Sequence, residues 1–145
     1  MTARCQRHWI MSLDEKAWQA ARERIGRAAR AAGRDPATVR LLAVSKTQPA
    51  QAVREAWGLG QRAFGENYVQ EAAAKRDALA GLKGIEWRLI GPLQSNKAAL
   101  AADVFDAVES VDRAKIAERL SAARLASRPP LEVLVQVNIS GEASK

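Results

Sequence analysis

The chain has 145 residues, 48% apolar and 27% charged, with a formal net charge of +7, which suits one globular domain with a proper core and is too short for two ordinary ones. No apolar run approaches the roughly 20 residues of a membrane span. Cys5 and His8 are the only residues of their kinds, so an intrachain disulfide, a cysteine metal cluster, a multi-histidine zinc site and a histidine triad are excluded within the chain.

The basic stretch Met1–Ile10 has no long apolar segment behind it, so it is no signal peptide and the expected location is cytoplasmic. Residues 1–11 are expected to be a disordered extension to a domain over 12–145. Ser12-Leu-Asp-Glu15 has the form of a capping box, with Ser12 as N-cap. Behind it Trp18, Ala21, Ile25, Ala28 and Ala32 recur at helical spacing, and Gly33 supplies the stop. Residues 1–40 carry nine Lys/Arg against four Asp/Glu, and the remainder fourteen against twelve. The positive excess therefore belongs to the first helix, and a solvated arginine-rich face is expected rather than a nucleic-acid site.

Leu41 to Val44 reads as a short buried strand, and Pro49 suits the first turn of a helix. Lys46 lies at the handover, where parallel α/β folds bind ligands. An amine held there and partly desolvated has its charged form disfavoured. In its neutral form it can attack an aldehyde. A lysine that ends a strand is ordinarily solvated, so this stretch alone leaves both readings open.

A regular alternation follows. Pro49 to Trp57 is predicted helical, closed by Gly58 or Gly60. Arg62–Gly65 is a very short strand, and Asn67 is a plausible N-cap for a helix to about Leu79. Ile85–Ile90 is strand three, Ser95 can cap a brief helix, and Val104–Val108 is strand four. Asp112 can cap a helix to Ala126, and Leu131–Ile139 is the longest strand. Strands alternating with helices mean parallel pairing and right-handed crossovers. An open doubly wound sheet and a barrel segment both fit. Even, short connections and strand ends rich in polar or small residues (Lys46, Glu66, Asn67, Gly91, Glu109, Ser110, Asn138) favour an α/β TIM-type barrel, represented by its first five or so β/α units. Stopping directly after a strand leaves one side unpaired, so either the sheet is open or the sequence is a fragment.

Gly58-Leu-Gly-Gln-Arg-Ala63 matches a dinucleotide-binding pattern in letters, but it follows a helix and precedes a strand, the reverse of what phosphate binding at a helix N-terminus needs. It is rejected.

Four segments carry more: Leu-Leu-Ala-Val-Ser-Lys46-Thr, Phe-Gly-Glu-Asn67-Tyr-Val-Gln-Glu71, Trp-Arg-Leu-Ile-Gly-Pro-Leu-Gln-Ser-Asn-Lys97 and Val-Gln-Val-Asn-Ile-Ser140. Together, in this order and spacing, they resemble the pyridoxal phosphate homeostasis protein family (the YggS/PROSC family), from about Met11 to Lys145. The resemblance implies a single barrel of the alanine-racemase N-terminal type that binds pyridoxal 5′-phosphate. It maps the Schiff-base lysine onto Lys46 and a residue beside the cofactor ring onto Asn67. It implies cofactor homeostasis without turnover, apoenzymes dependent on the cofactor as partners, no membrane or nucleic-acid partner, and a monomer at full length. Family members continue for several more strands, which supply the phosphate anchors, so a fragment is expected here. Lys145 is a candidate secondary lysine. Pro92 stands where many members have histidine, with no functional loss attached to it. The alternatives are the N-terminal part of a pyridoxal-phosphate-dependent amino-acid racemase or decarboxylase and, from composition alone, a basic nucleic-acid-binding module.

Overall fold

The computed structural model describes residues 13–141, so Ser12, Lys145 and the extension over residues 1–11 lie outside the described residues. Helix α1 spans Glu15–Ala31, and Asp14 caps it by accepting from the Ala17 N–H. Its inward face runs through Trp18, Ala21, Ile25 and Ala29, while Ala28 and Ala32 are exposed. The stripe thus drifts from the one expected, because strict spacings of three and four do not track a 3.6-residue period. Arg22, Arg24 and Arg30 face water.

After α1 come β1 (Ala43–Val44), α2 (Ala50–Gly58), β2 (Ala63–Glu66), α3 (Val69–Ala78) and β3 (Glu86–Leu89). The remaining elements are α4 (Ala98–Val104), β4 (Ala107–Val111), α5 (Ala114–Ala123) and β5 (Glu132–Val135). The strands form one parallel sheet in the order β1-β2-β3-β4-β5. That order decides between the two architectures. A doubly wound sheet reverses direction at a switch point. Consecutive right-handed crossovers instead bring every helix to one face, as in the wall of a barrel. Phe64, Trp87, Leu89 and Val108 from the strands meet Val53, Ala72, Ala101, Ile116 and Leu120 from the helices in one core. Each fully buried large side chain in it contributes about 1.5–3 kcal/mol.

Several boundaries differ from the sequence expectation. Val104 ends α4 rather than opening a strand, and it is buried with Phe105 beneath the sheet. A short apolar run cannot by itself separate a buried strand from a buried helix end. Asn67, Ser95 and Asp112 do not cap: Tyr68 and Arg113 occupy the N-cap positions of α3 and α5, and Ser95–Lys97 forms a 3-10 turn ahead of α4. Strand β5 is confined to Glu132–Val135 and exposed throughout, rather than reaching Ile139. It has a ladder partner only in β4, and pairing ends at Val111–Val135.

By strand alternation, Arg88 points to the face opposite the helices. It donates to Glu109 on β4 at 2.5 Å and to Glu132 on β5 at 2.9 and 3.0 Å. It also reaches Glu86 on its own strand, which Arg40 engages as well. The Glu132, Glu109 and Glu86 bonds hold the Arg88 guanidinium well above its ordinary range against the opposing effect of burial.

Candidate functional site

The residues expected to carry function lie at the carboxyl ends of the strands. Ser45, Lys46 and Thr47 form the turn that leaves β1, and Pro49 is the N-cap of α2. Val44 pairs with Gly65 in the β1–β2 register. Lys46 and Asn67 are each two residues beyond that pair, in the segments that leave β1 and β2. Parallel neighbours lie about 4.8 Å apart, so the two residues leave the sheet at adjacent strand exits. Lys46 follows in the turn, whereas the Ser45 hydroxyl turns to the helix side, where Glu66 accepts from it. Lys46 is exposed, the solvated of the two readings its stretch leaves open, and Asn67 is half-buried.

The loop after β3 is fastened to Asn67. A Cβ placed on Gly91 would lie 2.4 Å from the Asn67 carbonyl oxygen and 2.7 Å from its Cα, so only glycine permits this approach. The Ser110 hydroxyl at the end of β4 donates to the Gly91 carbonyl at 2.6 Å. The exits of β2, β3 and β4 are thereby joined into one rim.

Beneath Lys46, on the helix side, lies a polar network that the sequence reading did not single out. Glu66, fully buried at the end of β2, accepts from the Ser45 hydroxyl and from Lys75 Nζ, both at 2.7 Å. Lys75 reaches in from α3 and is 6% exposed; it also donates to the Ser45 carbonyl at 2.6 Å and to Glu71 at 2.8 Å. Glu71 in turn accepts from the Thr47 N–H at 2.6 Å. Partial burial alone would raise the Glu71 carboxyl, but the bonds from Lys75 and Thr47 and the charge of Lys75 hold it below its ordinary value. The other Glu66 oxygen, Oε2, is buried without a hydrogen-bond partner among the described residues. The available signal was the Glu71–Lys75 spacing, which ordinarily marks a solvated helical ion pair.

Among the described residues, no group of three or more His, Cys, Asp or Glu side chains could hold a metal ion. No helix among them is long and apolar enough to cross a membrane. What the strand exits offer is the exposed primary amine of Lys46 and a rigid rim. That set fits the aldehyde end of an aromatic aldehyde cofactor.

Comparison with known proteins points the same way. The model of the alanine racemase N-terminal domain matches residues 17–142. The pyridoxal phosphate homeostasis protein of Pseudomonas aeruginosa is 63% identical over 122 residues, covering 84% of this chain and 53% of the relative. The protein of the same name from Escherichia coli K12 is 53% identical over 126 residues, covering 86% and 54%. Among solved structures, PipY of Synechococcus elongatus with pyridoxal phosphate bound aligns at a TM-score of 0.59 and 49% identity, over 68% of this chain and 47% of that one. An unknown protein from Bifidobacterium adolescentis aligns at 0.79 and 37% identity, over 90% and 56%. The chain spans about half the length of the curated relatives it matches.

Proposed function

Because the chain belongs to the family of the alanine racemase N-terminal domain, we propose that it takes part in pyridoxal 5′-phosphate homeostasis, binding the cofactor through Lys46 in the cytoplasm. The observation that carries this reading is the placement of Lys46 and Asn67 just past the carboxyl ends of the adjacent parallel strands β1 and β2. When bound, pyridoxal phosphate supplies an electrophilic aldehyde carbon, to which a neutral primary amine adds with loss of water. Lys46 would provide that amine and Asn67 would stand near the ring, while the close Gly91–Asn67 approach keeps the rim from shifting.

Holding without turnover is part of the proposal. Racemisation needs acid–base groups able to reach the substrate carbon. Lys75 and Glu66, the ionisable pair beneath the Lys46 turn, are buried on the helix side and committed to each other. The handover of intact cofactor to apoenzymes that require it fits such a carrier.

Titration of the 145-residue chain with pyridoxal phosphate should give a visible absorbance band. Borohydride should fix the label on Lys46, and Lys46→Ala should lose both while staying folded. A label mapped to another lysine would refute the assignment. Binding should be weak in this chain. The phosphate site of such barrels usually follows strands 7–8, and each missing charge-assisted hydrogen bond forfeits about 1.5–3 kcal/mol. Tight stoichiometric binding would place the phosphate site within these residues.

A further inference from the structure

Among the described residues Thr47 is the only non-glycine with a positive φ, at 62°. A β-branched side chain resists that conformation, and it persists only where the surroundings hold it. Thr47 directly follows Lys46. Both backbone neighbours of Lys46 are held from α3: the Thr47 N–H by Glu71 and the Ser45 carbonyl by Lys75, each at 2.6 Å. Lys75 also bonds Glu71, so the two holds form one unit, anchored at its buried end on Glu66.

Stability is a poor account of this unit. A buried ion pair can often be replaced by apolar residues of the same volume at no loss, and here one carboxylate oxygen is left without a partner. What the unit does supply is a fixed backbone on each side of one exposed amine. We propose that Glu71 and Lys75 are positioning residues that clamp the strained Ser45–Thr47 turn, so that Lys46 presents its amine to an aldehyde ligand in one orientation. This inference rests on the proposed role of Lys46 as the attacking amine. It locates part of the affinity in residues on the far side of the sheet from the ligand.

The test uses the 145-residue chain, Glu71→Ala, Glu71→Gln, Thr47→Gly, and Glu71→Ala combined with Thr47→Gly. Two quantities are measured: hydrogen exchange at the Thr47 amide, and the yield of pyridoxal phosphate fixed on Lys46 by borohydride at subsaturating cofactor. Glu71→Ala removes the acceptor and should speed Thr47 exchange about tenfold, the equivalent of one net hydrogen bond, and lower trapping by a comparable factor. Glu71→Gln retains an oxygen that accepts from Thr47 and should restore both quantities to near the unsubstituted chain. Thr47→Gly relaxes the turn, so Glu71→Ala should cost much less trapping in that background. Unchanged Thr47 exchange in Glu71→Ala, or the same trapping loss with and without Thr47→Gly, would overturn the clamp. If the unsubstituted chain fixes no cofactor on Lys46, the functional reading fails instead, and the exchange result alone upholds or overturns the clamp.

Discussion

Lys75, on the helix-covered face of the sheet, and Arg88, on the concave face, are both cations buried among carboxylates, at 6% and 9% exposure. Their partners differ in kind. Arg88 gives its hydrogen bonds to Glu86, Glu109 and Glu132, one carboxylate from each of three adjacent strands, and so ties β3, β4 and β5 together. Lys75 bonds two carboxylates and one backbone carbonyl, and that carbonyl belongs to the residue before Lys46. A planar fork suits parallel carboxylates, whereas an ammonium with three rotatable donors can join unlike groups at one corner. One cluster therefore sets strand neighbours, and the other sets a turn.

Removing each cation should expose that difference. Lys75→Met takes the cationic partner from the fully buried Glu66 carboxyl, which should cost about 3–5 kcal/mol in urea unfolding. A loss below about 1 kcal/mol, the level of an exposed pair, would show that Glu66 does not depend on Lys75.

Arg88→Met should cost less. The side chains of Glu86 and Glu109 are about a quarter exposed and that of Glu132 58% exposed, so water can solvate what the arginine leaves behind. A loss of about 1–3 kcal/mol is expected once solvent screening discounts the buried-pair figure. Borohydride trapping on Lys46 should hold in the folded protein. Trapping lost at Lys46 with the fold intact would erase the distinction between the two clusters.

Acid gives the smallest and sharpest contrast. Glu71 in the first cluster and Glu86 and Glu132 in the second are all lowered from 4.5. Burial opposes the shifts at Glu71 and Glu86, where the cationic partners prevail, and the Arg88 bond leads at Glu132. A carboxyl lowered by folding contributes stability above its unfolded value, and that contribution is lost as pH falls through the folded one. The melting temperature should therefore drop as pH goes below about 4.5, the ordinary value. Arg88→Met, which frees Glu132 and leaves Glu86 to Arg40 alone, should flatten that drop more than Glu71→Ala, which removes one such group. Equal slopes would mean that the second cluster does not hold its carboxylates as described.

The parallel α/β plan, the rank of five strands and the position of Lys46 at a strand exit could be read from the chain, because hydrophobic period, turn residues and loop length are local properties. So could the four segments that carry the family resemblance. The tertiary structure decided three things. Asp14 caps α1, since several nearby polar side chains can serve the same N–H groups. Val104 belongs to a helix end, because what it packs against lies elsewhere in the chain. Most of all, Glu71 and Lys75 look from sequence like a solvated pair one helical turn apart. Their burial depends on Glu66 at the end of β2 and on Ser45, thirty residues from Lys75. Chain spacing brings the pair onto one helix face, but only the crossover that lays α3 over β1 and β2 takes it out of water and turns it toward Lys46.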